Sequence, residues 1–230
     1  MARIARMVIA DNNYEENITV YEKRSTALVV GKEMDERADM VVSEILDAGL
    51  LGEGVLPSLR HAWSNLLKED AICIPKAADV KAVIIQSDEY HSVNPVQDIQ
   101  GFDLSAFNHF RETNSYFVKH SSQMKMENLS EEFSVLPIDF YNLPEETTAQ
   151  APNTHTIDVK ITKDGRVHGI MFWFDLHVDE NITMSSGPDG ELIHWGQALY
   201  MFDDEKEVKA GENLRITALQ TETVISFERG

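Results

Sequence analysis

Cysteine is almost absent from this sequence. Cys73 is the single one in 230 residues, so no intramolecular disulfide can form. That fits a reducing compartment, cytosol or nucleus. No apolar run reaches membrane-spanning length, and the N-terminus lacks a signal-peptide pattern. Basic residues are scarce: 20 Lys and Arg stand against 39 Asp and Glu, a formal net charge of −19. A surface of that sign repels nucleic acid on average and argues against direct DNA or RNA binding. It attracts basic partners such as Arg-rich tails, although excess acid also serves solubility alone. No G-x-G-x-x-G and no phosphate loop is present. Ser58 and Ser185 lack the G-x-S-x-G surroundings of an activated nucleophile. Internal repeats and low-complexity tracts are missing too.

What is present suffices for a sizeable core in one or two domains, with 43% hydrophobic residues. Ile4, Met7 and Val8 fall at helical spacing, and Asn12-Asn13 stops the run. The stretch from Ile18 to Lys23 alternates like a strand, and Met40-Val41-Val42 reads as a buried strand. Pro57 suits the first turn of a helix whose stripe is Leu59, Ala62, Trp63, Leu66 and Leu67. Helix, strand, strand, helix predicts part of an α/β parallel sheet. From Ile74-Pro75 onward, strands and turns dominate. Val80 to Gln86, Phe133 to Ile138, Thr156 to Thr162 and Val167 to Val178 read as strands. Asp164-Gly165 predicts a hairpin joining the last two. Turns at residues 187–190 and 210–213 separate further strands. The stretch from about His91 to Lys119 has little β character. Many short strands with polar turns predict a sandwich or barrel.

The segment Ser43 to Gly54, SEILDAGLLGEG, carries the chemistry. It puts Glu44 and Glu53 at the two ends of a short apolar, glycine-bearing loop. Two converging ionised carboxylates suit a planar guanidinium, which offers five donors in a fixed fork. Leu50 and Leu51 could line a substrate's alkyl stem. Two unrelated acids on a solvated loop would share this spacing. His168, Asp175 and His177 do not predict a metal site, because His168 and His177 are odd-spaced along a strand-like run. Phe172 and Trp173 read as packing residues.

SE followed by a Gly-rich turn and GEG resembles the double-glutamate loop of the protein arginine methyltransferase family. The likeness continues through DAGLLGEGVLPSLRHAWSNLL, IDFYNL, GIMFWFDLHVDE and IHWGQALY. It is strongest to the type 9 branch, then type 7. The resemblance implies the C-terminal part of a Rossmann-like cofactor domain over 1–74. A β-barrel over 75–230 would follow, with an inserted helical arm at about Asn94 to Lys119 that mediates dimerisation. It implies methyl transfer from S-adenosyl-L-methionine to arginine in protein substrates. Glu44 and Glu53 would hold the guanidinium and His194 would organise the acidic pocket. Trp195 would pack near the substrate, and Ser25 and Glu44 would serve the methyl donor. Ile193 stands where the family carries threonine, so that hydroxyl is missing. The family's Gly-rich cofactor loop would lie upstream of Met1, which implies an N-terminally truncated module. Pairing with a second methyltransferase module or a homodimer is also implied. The rival expectation is a non-catalytic module that binds an arginine-containing segment or pairs without turnover.

Overall fold

A computed structural model describes residues 1–92, 95–110, 115–123, 125–192 and 194–230. The chain forms two compact units. One comprises Met1–Val41 with Ser58–Ile72, the other Val42–Pro57 with Cys73–Gly230.

The first unit begins with α1, Ala2–Asp11. The helix ends as its asparagines predict. Asn13 takes a left-handed φ of 60°, and the Asn12 side chain bonds back to the Val8 carbonyl at 2.8 Å. Ile4, Met7 and Val8 form a stripe that stays exposed. The expected strand from Ile18 to Lys23 does not form. That stretch is irregular and largely exposed, and it finds no strand partner among the described residues. Alternation alone cannot make a strand without a neighbour to pair with. Instead Arg6 reaches the Val20 carbonyl at 3.3 Å and Glu22 at 3.2 Å.

Strand β1, Ala38–Val42, helix α2, Val55–Asn65, and strand β2, Leu67–Ile74, follow. The Ala38 N–H donates to Leu66 O at 2.8 Å and the Ser43 N–H to Ile74 O at 3.0 Å. The strands therefore run parallel with α2 as their crossover. A parallel pair was expected, but strand β2 was not: Leu67, read as part of the helix stripe, opens it instead. Ala62, Leu67 and Ala71 form a small core with Ala38, Val41 and Trp63 against it. Met40 and Val42 are not buried: 47% and 68% of their surface is exposed. Strand β1 pairs only with β2 among the described residues, which leaves one edge uncovered.

The second unit is built on β3, Ala77–Gln86. It continues with helix α3, Asp88–His91, and the short strands β4, Asp98–Ile99, β5, Phe102–Asp103, β6, Phe117–Lys119, and β7, Glu127–Asn128. Then come β8, Phe133–Asp139, β9, Asn153–Lys160, β10, Gly165–His177, β11, Thr183–Ser185, β12, Gln197–Val208, β13, Asn213–Gln220, and β14, Ile225–Arg229. One sheet runs β6-β12-β10-β3-β7, with β11 on β10 and β8 on β3, and a second runs β14-β13-β9. Between β3 and β7, among the described residues, the helical content beyond α3 is 3-10 turns at Ser105–Phe110 and Ser121–Gln123. Asn94, at the expected start of the arm, lies outside the described residues, as do 111–114.

Strand β10 explains the core. Its run Ile170-Met171-Phe172-Trp173-Phe174 alternates sides and is buried on both faces. Phe172 and Tyr200 pack on Phe227 of the second sheet, with ring centroids 5.3 Å and 5.7 Å away. On the other face Met171 and Trp173 join Val83, Ile85, Leu199 and Met201. Arg229 stitches β14 to the large sheet, donating to Val167 O at 2.8 Å and Asp204 O at 2.6 Å.

The predicted hairpin at Asp164-Gly165 is not formed. Strand β9 pairs with β13, and β10 pairs with β3, β11 and β12. Gly165 does not adopt the left-handed conformation that a two-residue type I′ turn demands. Asp164 instead accepts from the Ala210 N–H at 2.9 Å and from Lys209 at 3.2 Å, so the turn carries the chain from one sheet to the other.

Candidate active site

Residues 43–54 leave β1 and enter α2 through a loop with an apolar floor. Leu46, Ala48, Leu50 and Leu51 are buried in it, while Glu44 and Glu53 are exposed. Leu50 holds a φ of 76° at zero exposure, a left-handed conformation unusual for leucine. Bonds from Leu50 N–H to Asp47 O at 2.8 Å and from Gly54 N–H to Leu51 O at 2.9 Å fix the two turns. Gly54, with φ of 83°, releases the chain into α2.

Asp47 organises the loop. Its carboxylate accepts the Gly52 N–H at 2.8 Å and the Tyr116 hydroxyl. A Cβ on Gly52 would collide with that carboxylate, and a Cβ on Gly49 with the Tyr116 ring. The glycines of the GLLGEG signature thus make room for this clamp. Burial, with the Asp47 carboxylate beside it, pushes the Tyr116 phenol well above its usual range. Tyr116 also packs edge-on against Phe172, centroids 5.4 Å apart. Neither Asp47 nor Tyr116 was expected from sequence. The tight pairing of an acid with two nearby glycines was the available signal for Asp47. No local pattern marks Tyr116.

The His194-Trp195 loop reaches the same place. The Trp195 indole N–H donates to the Leu46 carbonyl at 3.0 Å, and its ring packs edge-on against Phe174. The His194 ring lies 5.5 Å from the Trp195 ring and is exposed. The Trp195 bond thus ties the His194-Trp195 loop to the glutamate loop two residues after Glu44. Glu44, Glu53 and His194 have no hydrogen-bond or ion-pair partner among the described residues. Ile193 lies outside the described residues. Ser25 sits in the other unit, in an exposed 3-10 turn, Ser25–Ala27.

A second titratable cluster joins His91, His168 and Glu205. His168 is fully buried and stacks on His91 at 4.4 Å. Its Nδ1 accepts the Ser87 N–H at 3.1 Å, so a neutral ring carries its proton on Nε2, 3.4 Å from Glu205. A metal needs that nitrogen bare while the other ring nitrogen donates. Arg166, 3.0 Å from Glu205, adds a positive charge. The cluster is a polar network in which only His168 is fully buried, with Glu205 exposed and Arg166 half-buried. Burial, and then His168, hold the His91 pKa below its ordinary value. His177 lies at the far end of β10, bonded to Asp79 at 3.0 Å and Thr183 at 2.8 Å.

A family model described as the arginine methyltransferase oligomerization subdomain matches residues 76–225. The chain belongs to the protein arginine methyltransferase family. It is 37% identical over 216 residues to an arginine N(omega)-methyltransferase of Streptomyces achromogenes subsp. streptozoticus, covering 94% of this chain and 58% of that protein. It is 29% identical over 257 residues to protein arginine N-methyltransferase 7 of Oryza sativa subsp. indica, covering 99% of this chain and 35% of the relative. It is 29% identical over 245 residues to protein arginine N-methyltransferase 9 of Homo sapiens, covering 93% and 29%. The chain thus spans less than two thirds of these curated relatives. The solved Trypanosoma brucei PRMT1 enzyme-prozyme heterotetrameric complex with AdoHcy has the same fold, with a TM-score of 0.76 and 22% identity. That alignment covers 95% of this chain and 68% of the other.

Proposed function

We propose that this chain is the arginine-binding and barrel part of a protein arginine N-methyltransferase. Residues 1–74 belong to its Rossmann-like cofactor domain and 75–230 to the barrel. The observation that carries this reading is the glutamate loop: its floor is buried and its backbone tied down, while Glu44 and Glu53 stay exposed and find no partner among the described residues. Carboxylates held ready without internal partners lose little when they take up a guanidinium. Two of them fix its plane and keep electron density on the attacking nitrogen. That nitrogen sheds a proton as it gains the methyl, and Glu44, Glu53 and His194 are this chain's groups to receive it. Trp195 walls the pocket.

S-adenosyl-L-methionine, the methyl donor the family resemblance implies, supplies an electrophilic methyl when bound. The resemblance assigns it Ser25 and Glu44, which belong to different units, and no glycine-rich cradle stands among the described residues. The left-handed glycines Gly31, Gly54, Gly101 and Gly211 lie in separate turns.

Replacing Glu44 or Glu53 by glutamine in the full-length protein tests the reading. Each change removes one charge-assisted bond at an exposed position. Methyl transfer to an arginine peptide falls by roughly 100-fold or more with Tm unchanged. Near wild-type transfer from either variant overturns it.

A pairing role stands beside this one, supported by a specific observation. The insertion between β3 and β7 exposes Ile99, Phe102, Phe107, Phe110 and Phe117. Apolar side chains gathered on one insertion mark a docking surface for a second methyltransferase module. Deleting residues 94–119 weakens self-association of the full-length protein in analytical ultracentrifugation. Unchanged association removes the assignment.

A further inference from the structure

We propose that Tyr116, on the insertion between β3 and β7, is a positioning residue that latches the glutamate loop and so sets the geometry of the arginine pocket. The inference rests on the arginine methyltransferase reading. Tyr116 lies just before β6, far in sequence from the loop it holds. Its hydroxyl donates to Asp47, and its ring sits against Gly49, where no Cβ fits. The same ring packs on Phe172 in the centre of the barrel. The phenol is thus wedged between a rigid strand and the loop. It stays a neutral donor at working pH, because burial and the adjacent carboxylate both oppose its ionisation.

Asp47 lies between the two glutamates, three residues after Glu44 and six before Glu53. With one oxygen on Tyr116 and the other on the Gly52 N–H, it braces both halves of the loop. The Trp195 bond to Leu46 provides the second anchor on the Glu44 side. Losing the Tyr116 hydroxyl frees one of those anchors. The pocket glutamates then spread over several arrangements, and few of them align the nitrogen with the methyl. Misplacement on this scale reduces turnover by a factor of about ten to a hundred.

The test uses the full-length protein and Tyr116→Phe, which keeps the ring and deletes only the hydroxyl. Amide hydrogen exchange across residues 43–54 is expected to quicken, most at Gly52, by roughly fivefold or more. The kcat for an arginine peptide drops about tenfold or more while the KM for S-adenosyl-L-methionine holds. On an Asp47→Ala background, adding Tyr116→Phe costs nothing further, because the bond is already gone. Wild-type exchange in the loop overturns the latch, as does a Tyr116→Phe effect undiminished on the Asp47→Ala background. Glu44→Gln is measured alongside. Full activity there overturns the arginine-pocket reading, whereas the exchange data still score the latch.

Discussion

The glutamate loop and the segment from Tyr14 to Arg37 are both irregular, and both carry proposed ligand contacts. They are held by different forces. The loop has three buried leucines, a carboxylate with both oxygens engaged, and a tryptophan bond from a distant strand connection. The segment around Ser25 has mostly exposed residues and a local ionic knot. Glu33 accepts from Lys23 and from the Val29 N–H at 3.1 Å. Burial of apolar side chains survives salt and holds a backbone in one place. Exposed ion pairs contribute at most about 1 kcal/mol and are screened. A loop of the first kind can present unpaired carboxylates in a fixed position. A segment of the second kind needs a partner to do so.

The sharpest way to break the contrast is Leu51→Ala. It empties part of the loop floor and should cost about 2–5 kcal/mol in urea denaturation. Ile18→Ala in the other segment should change stability by about 0.5 kcal/mol or less. Equal effects would erase the distinction. Next comes Gly52→Ala. The new Cβ meets the Asp47 carboxylate, so the loop must shift, at a cost of about 1–3 kcal/mol with a matching fall in Tm. Trp195→Phe removes one hydrogen bond and keeps most of the ring. About 0.5–1.5 kcal/mol is expected, with faster exchange in the loop.

The smallest effect belongs to Glu33→Gln, which removes the ionic knot. It should be visible at low salt and vanish near 1 M salt, where the screening length is about 3 Å. Its pH dependence has a defined sign. The Lys23 contact holds the Glu33 carboxyl below its ordinary pKa of 4.5. Its contribution is therefore complete above that pH and disappears as pH falls through the lowered value. A pH titration of Tm, wild type against Glu33→Gln, reads that difference. A contribution that grows on acidification would contradict the assignment.

Much of the β region was legible because its periodicity is local. The run from Gly169 to Phe174 is apolar at every position but its first, and it became the strand buried on both faces. Ile18 to Lys23 shows the limit of the same argument. Its alternation was genuine, but a strand needs a partner as well as a pattern. Asp164-Gly165 failed for a related reason. The dipeptide favours a hairpin only when the flanking strands pair, and here they join different sheets. The stacked pair His91 and His168 was invisible, because 77 positions separate the end of helix α3 from the strand residue it stacks on.

The active loop divides in the same way. The sequence by itself determined which residues could carry charge, where the glycines allow a tight turn, and which leucines must leave water. Those properties belong to single residues and short spacings. Only the tertiary structure decided that Asp47 would brace the loop, that Tyr116 would reach it from another part of the chain, and that Trp195 would tie down Leu46. The Asp47–Tyr116 and Trp195–Leu46 bonds join groups far apart in sequence. Their strength comes from excluding water around a donor and an acceptor, and only the folded barrel supplies that.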